Sequence, residues 1–167
     1  IVVALSWVFF TIFGMLPYLL GGYIPTVTDA FFETMSGFTT TGATILDNID
    51  SMPHGILFWR SLTQWIGGLG IVCFTIVLLP GFGVSSQMLY LSEATGVTHS
   101  KICPKTRVMA RYIFMVYILL TAIESALLKV GGMGLFDAVC HSMTTTATGG
   151  FSTKQESIAY WHSPYIE

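Results

Sequence analysis

Two short stretches carry the residue types that could do chemistry in this chain. Residues 40–44 read TTGAT and residues 148–152 read TGGFS, glycine and small hydroxyl side chains set among long apolar runs. Gly and Thr are poor helix formers, so both stretches are expected to be irregular. Irregular backbone at membrane depth persists only where protein buries it or where it lines a water-filled cavity. The chemistry available there belongs to the main chain: carbonyl oxygens ranged along an axis replace the hydration shell of a cation. Gly42 and Gly150 supply the positive φ that turns a carbonyl inward. Thr40, Thr41 and Ala43 in one stretch, and Thr148, Gly149 and Phe151 in the other, complete the two candidate walls. Neither stretch holds a carboxylate, so the ligands are neutral. They suit a weakly hydrated monovalent ion better than Mg²⁺ or Ca²⁺, which favour carboxylates.

Such stretches need helices to hold them. Of the 167 residues 53% are hydrophobic and 10% charged, where a soluble domain carries about 25% charged residues; the chain reads as membrane-embedded. Its net charge of -2 says nothing about nucleic acid, and no group of Lys and Arg resembles a nucleic-acid footprint. Three spanning helices are expected, over residues 1–20, 54–79 and 106–130. The first has no basic n-region or clear cleavage site, so it reads as a span and not a signal peptide. Gly21-Gly22, Pro80-Gly81 and Gly131-Gly132 end the three spans. Between them, residues 28–38 and 134–146 predict two short helices, each about half a membrane deep. Lys101, Lys105, Arg107 and Arg111 fall in the loop after the second span and at the start of the third, which places that loop in the cytoplasm and both short helices on the outer side.

The chain also repeats itself. A shift of 108 lays Asp29-Ala30 on Asp137-Ala138, Met35 on Met143, Thr40 on Thr148 and Gly42 on Gly150 without a gap. Thr34/Ser142, Ser36/Thr144 and Thr44/Ser152 are near matches. One unit of span, half helix, Thr/Gly stretch and span is therefore used twice: residues 1–80 hold the first, 81–105 a cytoplasmic loop, and 106–167 a second whose closing helix is cut short. The fold class expected is an all-α membrane protein of tandem helix–pore-loop–helix repeats, and the chain reads as a fragment of a longer one.

This layout resembles the pore unit of potassium channels, with TTGAT similar to a degenerate TVGYG filter. The stretches FFETMSGFTTTGAT, LFWRSLTQWIGGLGI and FDAVCHSMTTTATGGFST more closely resemble the Trk/Ktr/HKT family of potassium transporters, TrkH-type subunits in particular. The resemblance implies four such repeats around one pore in the whole protein, with one filter glycine per repeat. Here these are Gly42 and Gly150, with K⁺ held beside them. It further implies potassium uptake as a channel or symporter across a bacterial inner membrane, a homodimer, and a cytoplasmic nucleotide-binding ring of the TrkA type. Potassium is then cargo, and no cofactor is expected.

Other residues support or compete with this reading. Arg60, two turns into the second span, either snorkels to the outer surface near His54 or braces the pore loop through Glu33 or a backbone carbonyl. Glu124 reads as a structural carboxylate, with a relay role as the alternative. Gly67, Gly68 and Gly70 read as sites of close helix approach, with a hinge as the alternative. Cys73, Cys103 and Cys140 lack metal-ligand spacing, and the four His show no i, i+4 pair. The competing function is an intramembrane serine hydrolase using Ser36 or Ser142 with a His. It leaves the repeat unexplained.

Overall fold

Apolar runs broken by Pro and Gly dictate the elements. The computed structural model describes residues 2–78 and 102–166, and among these every regular element is helical. The order is α1 Val2–Gly14, α2 Leu16–Leu20, α3 Val27–Phe38, α4 His54–Leu78, α5 Ile102–Val130 and α6 Leu135–Thr146, followed by a 3₁₀ turn at Ser157–Trp161.

The first expected span is not one helix. It breaks at Met15, because Pro17 has no N–H to offer the carbonyl of Phe13. The amides of Tyr18 and Leu19 both bond the Met15 carbonyl, at 3.1 and 3.2 Å. The Gly14 carbonyl, which would have received Tyr18 in a regular helix, instead accepts from the indole Nε1 of Trp59 on α4 at 2.9 Å. The break is thus stapled to the neighbouring helix. At the third span the helix starts at Ile102, ahead of the expected residue 106. Pro104 sits in its first turn, where a missing N–H costs nothing. Most of the expected cytoplasmic loop lies outside the described residues, Lys101 included.

The half helices α3 and α6 each have 12 residues, about 18 Å at 1.5 Å per residue. Each carries an Asp in its first turn, Asp29 and Asp137, where negative charge meets the positive end of the helix dipole. Both pack on α4, and α5 runs along α6. The outer rims of the two repeats are joined by His54 stacked on Phe136 at 4.3 Å, the Ile49 amide bonded to Gln155 at 3.1 Å, and Lys154 paired with Asp50 at 3.6 Å.

Beside an apolar core that includes Tyr18, Ile24 and Leu57, many polar side chains are buried and many large apolar ones face outward. Glu33, Thr34, Arg60, Thr63, Gln64, Ser142 and Thr144 are buried, while Phe9, Phe13, Met115, Leu119, Ile123 and Leu127 point outward. Large contiguous apolar surface marks contact with lipid or with further protein. By length and composition Ala110–Val130 can cross a bilayer, and Ala4–Leu20 is apolar but shorter.

Candidate ion-binding site

Both half helices end in the same turn. After α3 the amide of Thr40 bonds the Gly37 carbonyl at 3.0 Å and the amide of Thr41 reaches back to Ser36 at 2.9 Å. After α6 the amide of Thr148 bonds Thr145 and that of Gly149 bonds Thr144, each at 2.8 Å. These are Schellman turns, whose left-handed residue is usually Gly. Here it is threonine in both copies, with φ of 54° at Thr40 and 58° at Thr148. Two residues on, the chain is left-handed again, at Gly42 (76°) and Gly150 (89°). Because a trans peptide sets C=O opposite N–H, the amides that bond back turn the carbonyls of Thr39, Thr40, Ala147 and Thr148 away from the helices. That end of the helix carries about half a negative charge.

The rest of each stretch is held from behind. The Ile45 amide donates to Glu33 Oε2 at 3.1 Å, and the Phe151 amide donates to Gln64 Oε1 at 3.1 Å. The carbonyl of Ala43 does not share the outward set: it accepts from Ser36 Oγ at 2.6 Å and is turned against α3. The carbonyl oxygen of Gly149 abuts Gly42 so closely that a Cβ on Gly42 would overlap it. Phe151 is buried, its ring 4.3 Å beneath the guanidinium carbon of Arg60. Of the eight candidates Phe151 alone is buried; Thr41, Ala43, Thr148 and Gly150 are exposed, and Thr40, Gly42 and Gly149 half-buried.

Arg60 braces both stretches and does not snorkel; it is 1% exposed. Its Nε donates to Glu33 Oε1 at 2.9 Å, Nη2 to Thr44 Oγ1 at 3.1 Å, and Nη1 to the backbone carbonyl of Ser152 at 3.1 Å. Thr44 Oγ1 in turn donates to the Glu33 carboxylate at 2.9 and 3.1 Å. One buried ion pair so fixes the far ends of two loops. Thr44, Ser152 and Gln64 were not candidates from sequence. For the first two a signal existed, since they are a matched hydroxyl pair in the repeat; for Gln64 there was none.

The second copy uses different chemistry for the same tether. His141, which falls on Glu33 in the repeat, sits 2.9 Å through Nε2 from Ser152 Oγ, as Glu33 sits against Thr44 eleven residues on. His141 Nδ1 lies 2.8 Å from the Asp137 carbonyl. A carbonyl only accepts, so Nδ1 carries the proton. In the neutral ring Nε2 then receives the Ser152 hydroxyl.

The two half helices also converge on one strip of α4. A Cβ on Gly67 would overlap the Phe38 carbonyl, and one on Gly68 would lie 3.0 Å from Ala147 Cα. Consecutive glycines thus seat the ends of α3 and α6 against one wall. Gly70 faces Trp7 of α1.

Comparison with known proteins gives the family. A family model described as TrkH, cation transport protein, matches residues 1–167. The chain belongs to the TrkH family. It is 43% identical over 168 residues to the Trk system potassium uptake protein TrkH of Escherichia coli strain K12, covering 99% of this chain and 35% of that one. To the Trk system potassium uptake protein TrkG of the same strain it is 36% identical, covering 100% and 35%. The crystal structure of the potassium transporter TrkH from Vibrio parahaemolyticus superposes with a TM-score of 0.81 at 36% identity, over 98% of this chain and 32% of that one. The chain thus spans about a third of the length of these relatives.

Membership of the TrkH family gives an all-α membrane protein, as the helices show. It leaves the hydrolase reading without support. Ser36 donates to the Ala43 carbonyl and Ser142 to that of Val139 at 2.9 Å, so neither hydroxyl meets a His. The serine that does, Ser152, also receives the Lys154 amide at 2.9 Å, and its place in the other copy is taken by the Thr44–Glu33 pair. Both are loop tethers. Among the described residues no group of three His, Cys, Asp or Glu side chains is placed to hold a metal.

Proposed function

We propose that this chain contributes two of the pore loops through which a TrkH-type system takes up potassium, and that residues 40–42 and 148–150 line the selectivity filter. The observation that carries the reading is the pair of matched turns, Thr40/Gly42 and Thr148/Gly150, all four left-handed and side by side at the ends of two half helices. Left-handed residues at alternate positions keep successive peptide planes facing one way, as they do for amides in anion-binding nests. Here the amides are committed to Gly37, Ser36, Thr145, Thr144 and Gln64, which favours carbonyls on the open side. Neutral oxygens at a helix C-terminus attract a monovalent cation and can release it again. Potassium is the cargo named for the relatives. Of the full candidate set, Thr40, Thr41, Gly42, Thr148 and Gly150 carry the ligand role; Ala43, Gly149 and Phe151 shape the wall.

The bacterial inner membrane, a homodimer and a cytoplasmic nucleotide-binding ring of the TrkA type belong to the same proposal, for the complete protein. The test is uptake of rubidium and sodium by the full-length transporter carrying Gly42→Ser. A β-carbon there meets both the positive φ and the Gly149 carbonyl, so the loop must rotate. Preference for potassium over sodium should fall while protein still reaches the membrane. Unchanged preference would remove the filter assignment.

A further inference from the structure

The peptide between Gly150 and Phe151 is fixed by a side chain from the other repeat. Gln64 lies one turn beyond Arg60 on α4 and is 0% exposed. Its Oε1 accepts the Phe151 N–H at 3.1 Å. Its amide lies flat against Gly149, so that a Cβ there would strike the amide carbon, oxygen and nitrogen together. A trans peptide sets C=O opposite N–H, so the Gly150 carbonyl points away from Gln64. Gly150 itself is exposed, and a Cβ built on it would meet open space. The same bond orients the side chain, because only the amide oxygen can receive an N–H. Nε2 is left facing Gly42, 3.7 Å from a Cβ built there, buried and without a hydrogen-bond partner among the described residues.

We propose that Gln64 is a positioning residue of the filter: its Oε1 sets the rotation of the Gly150–Phe151 peptide and hence the aim of the Gly150 carbonyl at the passing ion. This rests on the filter reading above. An apolar side chain of the same length would leave the Phe151 N–H buried and unpaired, a costly state. The peptide then gains by turning that N–H toward the water-filled axis. A donor replaces an acceptor on the wall, and the cation loses a ligand.

The test compares rubidium and sodium uptake by the full-length transporter with Gln64→Leu, Gln64→Glu and Gly150→Ser, each normalised to the amount in the membrane. Gln64→Leu should lower the preference for rubidium over sodium by about three- to tenfold, the equivalent of one ordinary hydrogen bond, and raise KM more than it lowers the maximal rate. Gln64→Glu keeps an acceptor and should hold the preference to within about twofold. Unchanged preference in Gln64→Leu, or equal damage in Gln64→Glu, would overturn the proposal. If Gln64→Leu fails to reach the membrane, Gln64→Met carries the same expectation, and failure of both would assign Gln64 to folding alone. Gly150→Ser reads the filter itself. If it leaves preference intact, the filter reading falls; if it shifts preference while Gln64→Leu does not, only the role of Gln64 falls.

Discussion

Glu33 and Arg60 form an ion pair at 2.9 Å with both side chains almost wholly buried. The carboxylate also receives the Thr44 hydroxyl and the Ile45 amide, and the guanidinium reaches Ser152. Removing one member of such a pair leaves an uncompensated charge away from water, at a cost of about 3–5 kcal/mol. Arg60→Met in the full-length transporter should therefore sharply lower thermal stability and membrane yield. Arg60→Met combined with Glu33→Gln should recover part of the loss. Thermal unfolding of the purified proteins decides it: a double variant no more stable than Arg60→Met would show that the charge is not what the pair protects.

Thr40 and Thr148 are β-branched residues in left-handed conformation, which stores of the order of 1 kcal/mol or more at each. Replacing either by Gly relieves that strain at the expense of some chain entropy. Thr40→Gly and Thr148→Gly are each expected to raise the unfolding temperature, and to weaken potassium selectivity because the turn becomes free to adopt other φ values. A fall in unfolding temperature for both would mean that the hydroxyls contribute more than the strain costs.

Gly149 differs from Gly150 in that its φ is not positive, so alanine there is disfavoured by space alone. The obstacle is the Gln64 amide. Gly149→Ala should destabilise by about 1–3 kcal/mol, the usual cost of overpacking. Adding Gln64→Ala opens the space, and the two effects should sum to clearly less than their separate costs. Strict additivity in a double-mutant cycle would show that Gly149 and Gln64 do not touch.

For topology, a cysteine introduced as Lys101→Cys should resist a membrane-impermeant thiol reagent applied to intact cells, whereas Asp50→Cys, on the rim shared with Lys154, should react. The basic cluster from Lys101 to Arg111 motivates the first and the outer placement of the half helices the second. The reverse pattern would invert the orientation.

How far the sequence could be read follows from the range of the forces involved. The half helices were legible to within a residue, because the shift of 108 and local turn chemistry mark their ends. The break at Met15 was not, since an apolar run hides how Pro17 and Trp59 share out the carbonyls of a single turn. Thr40 and Thr148 were read as wall residues, and left-handed φ was assigned to Gly42 and Gly150 alone. Propensity disfavours threonine there, and only the helix ends locked on α4 override it. Gly67 read as a plain packing residue, yet it lies directly behind the Phe38 carbonyl, at the base of the first loop. Gln64 joins segments 87 residues apart, a contact that no local pattern encodes.

That Arg60 bonds the carbonyl of a residue 92 positions later has a consequence for how the chain is made. At translation speeds of about 5–20 residues per second, those residues take roughly 5–20 s to appear. During that interval the first loop is inserted with one arm of its guanidinium and the Gln64 acceptor still waiting for the second. The first loop therefore reaches the arrangement described above only once its sibling is present. The two loops are set as a pair, and synthesis of the second repeat supplies the partners that the first still lacks.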